Sequence, residues 1–228
     1  MSLLYVVSES GNDAFFYALC AERITGREFT PVPMENRKGD GVEAVKVQLK
    51  YALRQARAAA GGAEPVCFLA AIDNDRSPHP ENETLNRARL VPQEQQRASR
   101  IDWMLATVEA VLGQNRNAWP LPVALAVPVE MIEAWIVRAR RDAEPQPTPH
   151  FSNADSDRAR LYYASAAPPP QWKNLAAEEE KQSGHTDRLA FYEQVASELD
   201  SDALATRSLS FRIFKEWLDA WPQAAVPV

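Results

Sequence analysis

Residues 65–72, PVCFLAAI, run for eight positions without a charged or hydrogen-bonding side chain, between Gly61-Gly62 upstream and Asp73-Asn74-Asp75 downstream. The run has strand length, and a strand that is apolar at every position rather than at alternate ones is buried on both faces. Parallel sheets covered by helices on either side produce that profile. The segment therefore points to an α/β fold with a parallel sheet. Its last residue leads into Asp73 and Asp75, at the end of a strand where open α/β sheets bind their ligands. Carboxylates there suit a hard divalent ion such as Mg²⁺, which takes oxygen ligands and keeps water or phosphate oxygens in its remaining positions. Taken alone, D-x-D is equally a solvated turn that ends a strand.

The remaining segments fit the same architecture. Residues 3–7, LLYVV, read as a buried strand, followed by a polar turn over Ser8 to Asn12 and by helical spacing through Phe15, Phe16, Leu19, Cys20 and Ile24 as far as Gly26. Phe29 to Pro33 reads as a second strand, confined to an edge by Pro31 and Pro33. A polar link from Glu35 to Gly41 leads to a helix with the stripe Val42, Val45, Leu49, Ala52 and Leu53. Beyond Asp75 a charged loop runs from Arg76 to about Gln93. A helix follows with Ile101, Leu105, Val108 and Leu112, ending at Gly113, and LPVALAV up to Val127 forms a fourth strand closed by Pro128. Four strands alternating with helices predict a doubly wound, mostly parallel sheet.

A helix then opens at Val129, with Ile132, Trp135, Ile136 and Ala139 on its buried stripe. Glu130 and Glu133 share a neighbouring face, either as acids favoured by the helix dipole or as part of a site. The chain loosens from Asp142 to Lys173, where prolines recur around a short helix near 157–164. Two helices close it, one through Leu189, Val195, Ala196 and Leu199, the other through Phe211, Phe214, Leu218 and Trp221. Trp217 and Trp221 are read as core. This predicts an α/β domain over 1–141, a Pro-rich linker over 142–173 and C-terminal helices over 174–228 packed on the same core.

Composition sets limits on partners. No apolar run approaches the roughly 20 residues needed to span a membrane, and the N-terminus lacks a basic, signal-like start, so a cytoplasmic protein is expected. Cys20 falls in a helical pattern and Cys67 in the buried strand, which makes both core thiols. His79 has no neighbours at zinc-ligand spacing. The net charge of −6 means that the surface as a whole is no footprint for a polyanion. Local basic clusters, Arg97 with Arg100 and Arg138 with Arg140 and Arg141, are either phosphate contacts or solvated helix faces.

Acidic residues thus gather at the ends of elements expected on one edge of the sheet: Glu9 after the first strand, Asp73 and Asp75 after the third, Glu133 beside the fourth. In this pattern the chain resembles the Toprim superfamily of topoisomerases, primases and overcoming-lysogenization-defect nucleases. That family has a strand ending in V-E-G-x-x-D and a later strand ending in D-x-D. Here the first motif reads Val7-Ser8-Glu9-Ser10-Gly11-Asn12-Asp13, with Ser10 where the family has glycine, and the second reads Asp73-Asn74-Asp75. The chain is also similar to small stand-alone bacterial Toprim-like proteins encoded beside ATPases, through the E-A-W of Glu133 to Trp135 and through Ser208-Leu209-Ser210-Phe211.

The resemblance implies a Mg²⁺- or Mn²⁺-dependent phosphoryl-transfer enzyme. Its expected form is a nuclease or nuclease subunit of a bacterial defence-type system, with nucleic acid as substrate and an ATPase as partner. Glu9, Asp73 and Asp75 would be its catalytic carboxylates, Glu133 a further metal ligand, and Arg138, Arg140 and Arg141 would meet the nucleic acid. Glu9 is either a metal ligand or a general acid or base, because clustered carboxylates raise one another's pKa. Tyr162 and Tyr163 lack the context of a topoisomerase tyrosine, and a primase zinc module is missing from the sequence. Two alternatives stand beside the nuclease. One is a non-catalytic Toprim-like regulatory or binding subunit, favoured by the acidic surface. The other is a phosphoacceptor receiver-like domain, which would want a second acid beside Glu9 and a lysine after its last strand.

Overall fold

The computed structural model describes residues 1–32, 34, 42–72, 101–128, 135, 136, 139, 172–185 and 187–222. Among these the chain divides into two compact units: residues 1–72, 101–126 and those from 214 onward form the first, and residues between 127 and 213 the second.

The first unit is built on four parallel strands, β1 (Ser2–Val7), β2 (Phe29–Val32), β3 (Val66–Ala71) and β4 (Val123–Ala126), in the order β2-β1-β3-β4. β3 is buried at all six positions, as its unbroken apolar sequence leads one to expect, and it pairs with a strand on each side. β2 stands at the edge, where a strand containing Pro31 can be accommodated. Helix α1 (Gly11–Thr25) packs on β1 and β2, and α2 (Val42–Ala59) on β1 and β3. The chain steps from β1 outward to β2 and then back across β1 to β3. Right-handed crossovers therefore send α1 and α2 to opposite faces, which accounts for strands buried on both sides. α1 ends where Gly26 takes the left-handed conformation (φ 66°) and donates to the Glu22 carbonyl, a geometry that favours a residue without Cβ.

Residues 101–112 form α3, closed by Gly113 at φ 99°. Its buried stripe is Met104, Val108 and Val111, while Leu105 and Leu112 are only half-buried, so the inward face is rotated from the one expected. Both stripes have helical spacing and share Val108, and only tertiary packing selects between them. The Arg57 guanidinium ties α2 to α3 by donating to the Val111 carbonyl. Aromatic edges complete the core: Tyr17 on Phe214 at 6.0 Å and Phe29 on Trp221 at 5.8 Å. Trp221 is buried, as expected, but Trp217 is half-exposed with the Arg116 guanidinium 5.3 Å from its ring, and is not core.

The helical end of the chain holds four helices where two were expected: α4 (Trp172–Ser183), α5 (Arg188–Glu198), α6 (Ser201–Arg207) and α7 (Leu209–Asp219). Capping explains the subdivision. Asp200 accepts from the Ala203 amide at 2.9 Å to start α6, and Ser208, at φ −134°, ends α6 and accepts from the Phe211 amide to start α7. Among the described residues no helix is long and apolar enough to cross a membrane.

Candidate functional site

β1 and β3 lie side by side, and Val7 pairs with Ala70, so the two strands end nearly level. The strand order reverses direction between them, and such a switch point opens a crevice beyond the carboxyl ends of the strands. Glu9 stands two residues past Val7, half-buried, in the loop that enters α1. On the other side Ile72 is fully buried and donates its amide to the Ala126 carbonyl at 3.0 Å, so the chain is held in the sheet up to the residue before Asp73. Asp73, Asp75, Glu133, Arg138, Arg140 and Arg141 lie outside the described residues. Within the described residues no three ligand-type side chains gather as a metal site, and of the expected carboxylates they include Glu9 alone.

The loop that carries Glu9 owes its form to two serines. Ser8 is buried and donates its hydroxyl to the Ser10 carbonyl at 2.6 Å. Ser10 is the N-cap of α1: its hydroxyl accepts from the Asp13 amide at 3.2 Å, and its carbonyl from the Ala14 amide at 3.1 Å. Its backbone is extended, at φ −141° and ψ 162°, so a residue with a side chain fits where the family motif carries glycine. Glu9 is thereby held between a buried residue and a capped helix start.

A second feature lies beside this loop. A cleft of about 310 Å³ opens between the ends of β1 and β2 and the first turn of α1, lined by Val6, Ser8, Ser10, Gly11, Ala14, Phe15, Pro31, Val32, Met34 and Gln48. Gln48, from α2, is 4% exposed, and its side-chain Nε2, out of reach of solvent, has no hydrogen-bond partner among the described residues. The periodicity of α2 places position 48 next to the apolar stripe, where a glutamine breaks the pattern; that interruption is the signal by which the sequence could have marked it.

The thiols belong to the core. Burial pushes Cys20 far above the ordinary thiol range and Cys67 up to about 11, the latter against the opposing pull of Arg27. Both are buried thiols, protonated at neutral pH and inert as nucleophiles.

Comparison of the chain with protein-family models, curated proteins and solved structures finds no match.

In the second unit, Trp135 meets residues of the helix that begins at Leu209. Trp135, fully buried, donates its indole N–H to the Ser210 hydroxyl at 2.9 Å and sets its ring edge-on to Phe211 at 5.0 Å. The Ser208 hydroxyl lies 3.2 Å from that of Ser210. The partners are 75 residues apart in sequence. Trp135 was expected to be buried, but its serine partner was not identified, because a serine near a helix start reads only as a cap.

Proposed function

We propose that this chain is a Mg²⁺- or Mn²⁺-dependent phosphoryl-transfer enzyme, a nuclease or the nuclease subunit of a bacterial defence-type complex with an ATPase partner. One observation carries the reading: β1 and β3 end level at the reversal of strand order, with Glu9 just past one strand and the Asp73-Asn74-Asp75 sequence just past the other. That is the edge at which α/β sheets bind ligands. The donor set fits such an ion, since its members are carboxylates, whose oxygens suit a hard divalent cation. When bound, the ion supplies charge that polarises a phosphodiester and acidifies a water molecule.

The chain's own groups do the rest. Asp73 and Asp75 hold the ion, with Glu133 as a further oxygen donor. Glu9, held between the buried Ser8 and the capped start of α1, is a ligand or the group that moves a proton. Arg138, Arg140 and Arg141 supply the positive charge that an acidic protein of net charge −6 needs locally to hold a polyanion.

Cleavage of plasmid and of single-stranded DNA and RNA with Mn²⁺, with and without an ATPase encoded next to the gene, tests the reading. Asp73→Ala should abolish cleavage, with rates falling by about a hundredfold or more, while far-ultraviolet dichroism stays unchanged. The acidic surface favours one second reading, a Toprim-like regulatory or binding subunit. Absence of any cleavage that Asp73→Ala removes would put that reading in place of the first.

A further inference from the structure

In a chain with 31 acidic and 25 basic residues, the stretch from position 44 to position 63 contains Lys46, Lys50, Arg54 and Arg57 and no acid. All four cations belong to α2. Successive residues turn by about 100° around a helix, so the buried Val45, Leu49, Ala52, Leu53 and Ala56 occupy one half of α2. Lys46, Lys50 and Arg54 are exposed and fall together on the other half. Val47 and Tyr51 lie beside them, 66% and 42% exposed, and among the described residues Met1 is the only other large apolar side chain so open to solvent.

Solvation alone does not call for this composition. Cations four residues apart repel one another and weaken a helix, whereas an acid at that spacing would strengthen it. Cations elsewhere have such acids: Arg116 with Glu109 at 3.8 Å, Arg188 with Glu180 at 3.4 Å and Lys215 with Asp219 at 2.7 Å. Among the described residues Lys50 and Arg54 have no carboxylate partner. Arg57 stands apart from the row, because its guanidinium is taken by the Val111 carbonyl.

The row also has a direction. α2 packs on β1 and β3, the strands that end at the Glu9 corner, and as the crossover between parallel strands it starts at their carboxyl ends. Gln48, two residues past Lys46, lines one cleft with Ser8 and Ser10, the neighbours of Glu9. The cations therefore begin beside the corner and lead away from it for about 12 Å, at 1.5 Å per residue from Lys46 to Arg54. A single phosphate would use one of them; a linear polyanion uses all three. We propose that the exposed face of α2 holds the phosphodiester backbone of a nucleic acid and leads it to the β1–β3 corner. The choice of nucleic acid over an acidic protein rests on the phosphoryl-transfer reading of that corner.

Binding of a short fluorescein-labelled DNA duplex to the full chain, followed by anisotropy in EDTA, tests the surface without any metal. Three phosphate contacts account for about a fortyfold loss of affinity between about 50 and 200 mM salt. Lys50→Ala combined with Arg54→Ala should weaken binding about tenfold or more at the lower salt, and should reduce the slope of log affinity against log salt by about 1.8. Lys181→Ala combined with Lys215→Ala removes the same charge from the other unit and should change neither. No binding by the unaltered chain, or equal effects of the two double variants, overturns the proposal. So does poly-glutamate that displaces the duplex at equal charge concentration, which would assign the face to an acidic protein, or self-association that the α2 variant abolishes, which would assign it to a second copy. Binding that depends on Lys50 and Arg54 without metal-dependent cleavage keeps the surface and removes the nuclease reading. Asp73-dependent cleavage with binding indifferent to Lys50 and Arg54 does the reverse.

Discussion

In the second unit, Trp135, Ser208 and Ser210 are buried to within 2% of complete, and their polar atoms are matched: indole to hydroxyl, hydroxyl to hydroxyl, and the Phe211 amide to Ser208. In the first unit, Gln48 is buried almost as deeply and its Nε2 has no partner among the described residues. The two regions show opposite outcomes of the same situation. A satisfied polar cluster in a dry interior contributes to stability and ties distant segments into one arrangement. An unsatisfied buried donor costs stability. The comparison separates polar groups that build this protein from a polar group that weakens it.

The largest test falls on the matched cluster. Trp135→Ala removes a fully buried indole together with its edge-on contact to Phe211, and should destabilise the second unit by about 3–5 kcal/mol in a denaturant titration. Ser210→Ala strands the indole N–H and should cost about 1–3 kcal/mol. Combining it with Trp135→Phe should cost less than the sum of the two single changes, because the second removes the donor that the first left unpaired. Strict additivity would mean that the hydrogen bond carries no energy.

Gln48→Leu sharpens the comparison by its sign. Where Ser210→Ala destabilises, Gln48→Leu should raise the unfolding midpoint, by an amount equivalent to roughly 1 kcal/mol, since it removes an unpaired donor from an apolar setting. A loss of stability there would place Gln48 with the building residues and undo the distinction.

The smallest effect concerns the loop between cleft and corner. Ser10→Ala should cost about 1 kcal/mol through loss of the α1 cap, and Ser10→Gly only a few tenths, by thermal melting. Equal losses would mean that the hydroxyl does not cap and that the family's glycine is not a neutral exchange at this position.

Much of the first unit follows from short-range pattern. The unbroken apolar run at 65–72 reads as a parallel strand buried on both faces, Pro31 suits β2 to an edge, and Gly26 and Gly113 end their helices where the spacing says they should. Each of these depends on the residue's own conformational limits or on periodicity, which are local properties. At the candidate corner the same local pattern offers an acid soon after each of two buried strands, and of these the described residues include Glu9.

What tertiary structure decided were the choices that local pattern leaves equal. Met104 and Val111, rather than Leu105 and Leu112, turn inward because tertiary packing selects one of two overlapping stripes. Ser208 and Asp200 cut the C-terminal region into separate helices, although each residue is equally at home mid-loop. Ser210 found Trp135 from 75 residues away, and Gln48 became a buried donor without a partner among the described residues. Whether a buried polar atom has a partner depends on the neighbours that folding brings from elsewhere in the chain, and no window of sequence around Gln48 or Ser210 contains them.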